Sequence, residues 1–147
     1  MNISPAGVDL IKSFENCRLV AYPDQGGVYT CGWGATGSGV VAGTVWTQEQ
    51  ADNRLQSDLS YFEDCVNDCV RVMLTQGQFD ALTDFAYNEG CGALKGSTLL
   101  RLLNDGQIDQ AAEQFLRWQY ADGKLDPGLE RRRLAEQAMF NSGGDNA

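Results

Sequence analysis

The sequence predicts an α+β fold, mainly α, with two lobes: a small antiparallel β lobe, a long connecting helix and a helical C-terminal lobe. Three observations carry that expectation. Strand-like runs are confined to residues 18–46, where "RLVAY", "VYTCGW" and "VVAGTVW" are separated by the turn-rich "PDQGG" and "GATGSG". Two capping-box patterns, "TQEQ" at 47–50 and "TQGQ" at 75–78, open helical runs. Beyond Thr47, apolar residues recur at three- and four-residue steps, the period of a helix with one buried face.

In chain order, an N-terminal helix is expected within 1–16. Ser4 is placed to cap it, Pro5 to occupy its first position, and Val8, Ile11 and Phe14 to form its apolar stripe. That helix carries Glu15 to its end. The β lobe spans 17–46. The long helix spans 47–72, with Ala51, Leu55, Leu59, Phe62, Val66 and Cys69 on one face, and at ~1.5 Å per residue it runs about 30 Å or more. The helical lobe spans 73–141. Its helices are "FDALTDFAYNE" stopped by Gly90, 97–105 stopped by Gly106, 109–120 capped by Asp109, and 127–140 with Asp126 as cap and Pro127 first. Residues 142–147 read as a frayed tail. The whole, 1–147, is one domain, and a cleft between two lobes is the natural ligand site.

Composition narrows the function classes. The chain has 147 residues, 43% hydrophobic and 21% charged, with a formal net charge of -9. Phosphate neutralisation needs a basic face, so no nucleic-acid partner is expected. No apolar run reaches the ~18 residues of a membrane span, and "MNISPAGVDLIKSFE" lacks the basic and apolar regions of a secretory signal, so no membrane anchor is expected. Five cysteines without a CxxC pair, and no histidine, argue against a metal site; no cofactor is expected. Cys65 and Cys69, four apart on the long helix, read as small buried apolar residues. The one dense basic cluster, "ERRR" at 130–133, reads as a solvated helix face. A second reading has Arg131 and Arg132 orienting carboxylates by bidentate pairing.

The chemistry-bearing stretch is "FENCRLVAYPDQGGVYTCGWGATG", residues 14–37. Glycoside hydrolysis needs one protonated carboxyl to donate to the leaving oxygen and one ionised carboxylate on the other side, in environments that differ. Glu15 leaves a helix among apolar neighbours, Asp24 lies in a wet turn, and Thr30 offers a hydroxyl on the returning strand. Residue types alone leave a plainer reading open: a surface acid, a turn former and a β-branched strand residue.

Order and spacing add more. Glu-x8-Asp-x5-Thr, after a short helix and across a Gly-rich hairpin, resembles the catalytic set of the phage-type lysozymes, glycoside hydrolase family 24. "LTQGQFDALTDFAYNEGCGALKGSTLLRLLNDG", "AAEQFLRW" and "PGLERRRLAEQAMF" extend the resemblance over nearly the whole chain. It implies a lysozyme-like fold and an N-acetylmuramidase cutting the β-1,4 bond between N-acetylmuramic acid and N-acetylglucosamine in peptidoglycan. Glu15 would be the general acid, Asp24 and Thr30 would hold the attacking water, and the outcome would be inversion. Tyr22, Tyr87 and Ser97 fall where the family lines its cleft; a structural reading makes them two core-edge aromatics and a helix cap. Trp33, Trp46 and Trp118 read as core rather than sugar platforms. The resemblance also implies a monomeric endolysin that waits in the host cytoplasm, leaves through a holin pore and acts on the wall from the periplasm.

Three departures stand out. Ala35 replaces a histidine common in the family, so any polar contact that this histidine anchors to the long helix is expected to be absent, which touches stability more than chemistry. Asn16 replaces a glycine after the catalytic Glu. The chain is acidic where many relatives are basic, so an anionic wall should attract it less. A lytic transglycosylase and an inactive wall-binding module are the competing functions; retention of Asp24 and Thr30 speaks against both. Cys17 and Cys31 flank the site, and packed thiols are favoured over a bridge between them.

Overall fold

A computed structural model describes residues 1–143. Residues 144–147 of the expected tail lie outside the described residues; Ser142 still belongs to the preceding helix end, its N–H donating to Ala138 O at 3.0 Å. The elements are α1 (Pro5–Phe14), β1 (Arg18–Pro23), β2 (Tyr29–Gly32), α2 (Gln48–Cys69), α3 (Gln76–Glu89), α4 (Cys91–Lys95), α5 (Thr98–Asn104) and α6 (Ile108–Gln114). A 3-10 turn (Phe115–Trp118), β3 (Tyr120–Ala121), β4 (Lys124–Leu125) and α7 (Pro127–Asn141) complete the order. The chain forms two compact units, Ile11–Tyr61 and the remainder, so the boundaries fall inside α1 and α2.

In the Ile11–Tyr61 unit, β1 and β2 pair antiparallel, with Arg18 opposite Gly32, Tyr22 opposite Thr30 and Pro23 opposite Tyr29. A bulge lies between Arg18 and Tyr22. Buried Cys31, Ala35 and Val40 pack with Ala21, Tyr29 and Trp46 beneath the hairpin. Gly32 is required there: its φ is +64°, and a Cβ would lie 3.0 Å from the Trp46 ring. The third strand-like run does not form a strand. It contributes a bridge between Val45 and Val20, held by Ala21 N–H to Thr44 O at 2.9 Å and Trp46 N–H to Leu19 O at 2.8 Å. Positive φ at Gly39 and Gly43, and the Thr44 Oγ1 bond from Val41 N–H, coil the intervening residues into turns. The Thr47 box forms as expected: Gln50 N–H donates to Thr47 Oγ1 at 3.1 Å, and Thr47 N–H to Gln50 Oε1 at 2.8 Å.

The other unit is helical. Its core runs from Cys65 and Val66 through the buried face of α3 to Leu94, Leu99, Leu103, Phe115 and Phe140. Edge-on ring contacts tie Phe85 to Trp118 (5.2 Å) and Phe115 to Phe140 (5.4 Å). Trp118 is thus packed against the core. The Thr75 capping box closes α3, Ser97 caps α5 and Asp126 caps α7 with Pro127 in its first turn, each at the residue the sequence indicated. Ser4 accepts from Gly7 N–H at 3.2 Å as the cap of α1 and also donates to Asp80 Oδ2.

Three local expectations are corrected. Helix α6 starts one residue before Asp109, which sits in the first turn while Gln107 occupies the cap without a side-chain bond; the helix tightens to 3-10 at Phe115. The β3–β4 hairpin turns on Asp122 (φ 51°) and Gly123 (φ 77°), an Asp-Gly turn signal that "YADGKL" carries in plain view. Finally, "ERRR" is not a solvated face. Arg132 and Arg133 are buried, and only Arg131 of the three is exposed. Arg132 grips Asp84 with Nη2 to Oδ1 at 2.8 Å and Nε to Oδ2 at 3.1 Å. Arg133 donates to Glu89 (2.7 Å), Asn88 (2.8 Å) and Glu136 Oε2 (2.8 Å). Its Nε lies 2.7 Å from Glu136 Oε1, a charge contact without the alignment of a hydrogen bond.

Candidate active site

Glu15 is the first residue beyond α1, and its N–H still closes the last helical turn on Ile11 O at 3.0 Å. Its backbone direction is therefore inherited from the helix, and its side chain is half-buried. The segment around it is held on both sides by the first turns of α2. Lys12, one turn earlier, places Nζ 3.5 Å from Asp52 Oδ1 and 5.1 Å from the Trp33 ring centre. Cys17, two residues later, accepts from Gln48 Nε2 at 3.6 Å.

Asp52 is the hub of this cluster. It accepts from Trp33 Nε1 at 2.7 Å and from Gln48 Nε2 at 3.1 Å. The Trp33 bond above all, then the Gln48 bond and the Lys12 charge, hold its carboxyl below the ordinary carboxylate range.

Asp24 stands at the start of the hairpin turn, exposed. Its Oδ1 accepts from Gly26 N–H at 2.8 Å and Val28 N–H at 2.9 Å, an Asx-type turn that fixes the carboxylate's orientation. Among the described residues no bond is recorded to Oδ2. Thr30, 7% exposed, lies on β2 opposite Tyr22, and its hydroxyl donates to Val28 O at 3.2 Å. That leaves its lone pairs as acceptors. Asp24 and Thr30 are thus both anchored on Val28, one through its N–H and the other through its carbonyl.

Of the remaining candidates, half-buried Tyr22 lies on β1 beneath Arg18, whose guanidinium carbon is 4.3 Å from the ring centre. Tyr87 belongs to the helical unit and packs edge-on against Phe62 at 5.2 Å. Ser97 is also there, buried. Its hydroxyl donates to Leu94 O at 2.7 Å and accepts from Leu100 N–H at 3.0 Å. It lines a hollow of about 530 Å³ with Gln114, Arg117 and Trp118. Cys17 and Cys31 are free thiols, and Cys31 sits under the hairpin with Sγ 3.5 Å from Arg18 O. Cys65, buried beside Cys91, is pushed up to about 12, chiefly by desolvation.

The loop after β2 reaches the long helix by a route other than residue 35. Ala35 is buried and exchanges backbone bonds with Cys31 at 2.8 and 2.9 Å, yet the loop does have a polar tie to the long helix. Arg54 of α2 donates to Ser38 O at 2.7 Å and Thr36 O at 2.8 Å, while Asp58 holds its Nε at 3.0 Å. Nothing in the loop's own sequence signals this, because the side chain comes from the helix.

The Phage lysozyme family profile matches residues 12–136. The endolysin of Bacillus phage PZA is 49% identical over 97% of this chain and 56% of that protein. The endolysin of Salmonella phage P22 is 41% identical over 97% of this chain and 99% of its own length. Among solved structures, the muramidase domain of SpmX from Asticaccaulis excentricus superposes with a TM-score of 0.89 at 38% identity, covering 95% of this chain and 97% of that one. The chain spans about half the length of the Bacillus phage relatives it matches.

Proposed function

The chain belongs to the phage lysozyme family, and from that membership we propose that it is an N-acetylmuramidase, hydrolysing the β-1,4 bond between N-acetylmuramic acid and N-acetylglucosamine in peptidoglycan with inversion. Glu15 donates its proton to the glycosidic oxygen as the N-acetylglucosamine side leaves. A water on the opposite face of the muramoyl ring attacks C1, and Asp24 takes the proton that this water loses. The observation that supports this best is the shared anchor of Asp24 and Thr30 on Val28. With its donor spent, Thr30 can only accept from the water, as can Asp24 Oδ2. A water giving both hydrogens to these two acceptors presents its lone pair to the sugar. A carboxylate attacking the sugar directly has no use for such a partner.

Tyr22 on this hairpin, and Tyr87 and Ser97 in the helical unit, are proposed to contact sugar. As an endolysin the protein would accumulate as a monomer in the host cytoplasm, reach the periplasm through a holin pore and degrade the wall there. The test is Glu15→Gln, which keeps size and hydrogen bonding but has no proton to give. Turbidity clearing of outer-membrane-permeabilised cells should slow by roughly 10²–10⁴-fold with the thermal transition unchanged. Near-normal clearing by the folded variant contradicts the assignment.

A further inference from the structure

We propose that Arg18 is a specificity residue for this reaction: its guanidinium, seated on Tyr22 beside the Asp24–Thr30 cradle, binds a carboxylate of the muramoyl side of the glycan. The proposal rests on the glycan reading above and assigns a role to a residue outside the acid and water-holding set.

Position comes first. Tyr22 is paired with Thr30 across the ladder, and directly opposed residues project to the same face of a sheet. The guanidinium carbon lies 4.3 Å from the Tyr22 ring centre, so the cation is on that face too. The bulge between Arg18 and Tyr22 makes this possible, because three residues of β1, Leu19 to Ala21, are set against Cys31 alone on β2. Asp24, two residues beyond Tyr22, opens the adjoining turn.

Chemistry comes second. Stacking on an aromatic ring uses the face of a guanidinium and leaves its in-plane N–H groups free. Among the described residues no carboxylate pairs with Arg18, and its side chain is exposed. A pre-oriented, uncommitted fork of this kind matches a carboxylate in two-pronged fashion. The two sugars of the proposed substrate differ in this respect. N-acetylmuramic acid carries a lactyl ether that ends in a carboxyl or in a carboxylate-bearing peptide, whereas N-acetylglucosamine carries no acid.

The overall charge gives the contact its importance. A chain of net charge -9 repels an anionic glycan at long range, so a local cation is what lets the acidic substituent approach the cleavage point. It also orients the strand, since only muramoyl residues offer the anion.

The test compares binding of one soluble peptidoglycan oligomer before and after its carboxylates are converted to amides, so that only charge changes. Binding is read by calorimetry on the Glu15→Gln protein, which leaves the oligomer intact. The native oligomer should bind roughly tenfold more tightly than the amidated one at low salt, an advantage that 0.5 M salt removes, as expected for one exposed charged contact. In Arg18→Ala the two oligomers should bind alike, at the level of the amidated one. Arg18→Lys should recover part of the preference, and Tyr22→Phe, which keeps the ring, most of it. A peptide-free N-acetylmuramoyl oligomer, native and amidated, tells the lactyl carboxyl from the peptide carboxylates. Equal binding of native and amidated oligomers by the Arg18-containing protein overturns the proposal while leaving the glycan reading intact. So does an Arg18→Ala protein that keeps the preference or weakens on both oligomers equally. Failure to bind either oligomer overturns the glycan reading and this proposal with it.

Discussion

Val28 has no reactive group, yet it organises the proposed chemistry: its N–H bonds Asp24 Oδ1 at 2.9 Å and its carbonyl takes the Thr30 hydroxyl at 3.2 Å. Thr30 is therefore an acceptor by construction. Thr30→Val, close to isosteric, removes the acceptor and leaves the water held by Asp24 alone. The expected result is a fall in kcat of roughly 10–10²-fold with little change in KM, and recovery of much of it in Thr30→Ser. A Thr30→Val enzyme with full kcat would exclude the hydroxyl from water placement. The identities of Glu15, Asp24 and Thr30 as candidates were legible, because their spacing is written along one short stretch. The commitment of the Thr30 proton was not, since it depends on the rotamer by which the hydroxyl reaches the Val28 carbonyl two residues back. The Arg18–Tyr22 contact was not legible either: four positions of plain strand would set the two about 13 Å apart on one face, and the bulge shortens that span.

At the level of elements, the helix end that carries Glu15 and the loop that follows β2 are both tied to α2. Asp52 collects Trp33, Gln48 and Lys12, and Arg54 holds Thr36 O and Ser38 O. Because the folded pKa of Asp52 is lowered, its contribution to stability is present above the unfolded value of about 3.9 and is lost as pH falls through the folded value. Asp52→Asn should therefore melt below wild type at neutral pH. The two melting curves should converge as the pH drops well below 4. An offset that persists unchanged at the lowest pH would mean that the carboxylate charge contributes nothing. Capping boxes and proline-led helix starts were readable because each is a local bargain between a side chain and an amide three residues away. The third strand and the Arg54 tie were not: glycine turns diverted the first, and the second joins residues 16 and 18 positions apart.

For the molecule as a whole, the sequence conceals most at "ERRR". Three consecutive arginines look solvated on a helix, but Arg132, Arg133 and Glu136 are buried against Asp84, with Phe85 under Arg133 at 5.1 Å. Burial and the neighbouring Asp84 push the Glu136 carboxyl well above the usual range, while Arg133 pulls it back. A buried network of this kind is satisfied only when all its members are present, so no single position betrays it. The same concealment removes the "basic cluster" as a surface for anions, so on a chain of net charge -9 the proposed role of Arg18 is that of a local cation. The central claim is that Asp24 and Thr30 hold a water while Glu15 protonates the leaving group. The stereochemistry of the first product tests this most directly, because it reports which face of the sugar is attacked and by what. Proton NMR of a muramoyl oligosaccharide digest within the first turnovers should show the α-anomer at the new reducing end, relaxing later to the equilibrium mixture. A β-anomer appearing first would contradict the account, since it requires Asp24 to attack the sugar itself.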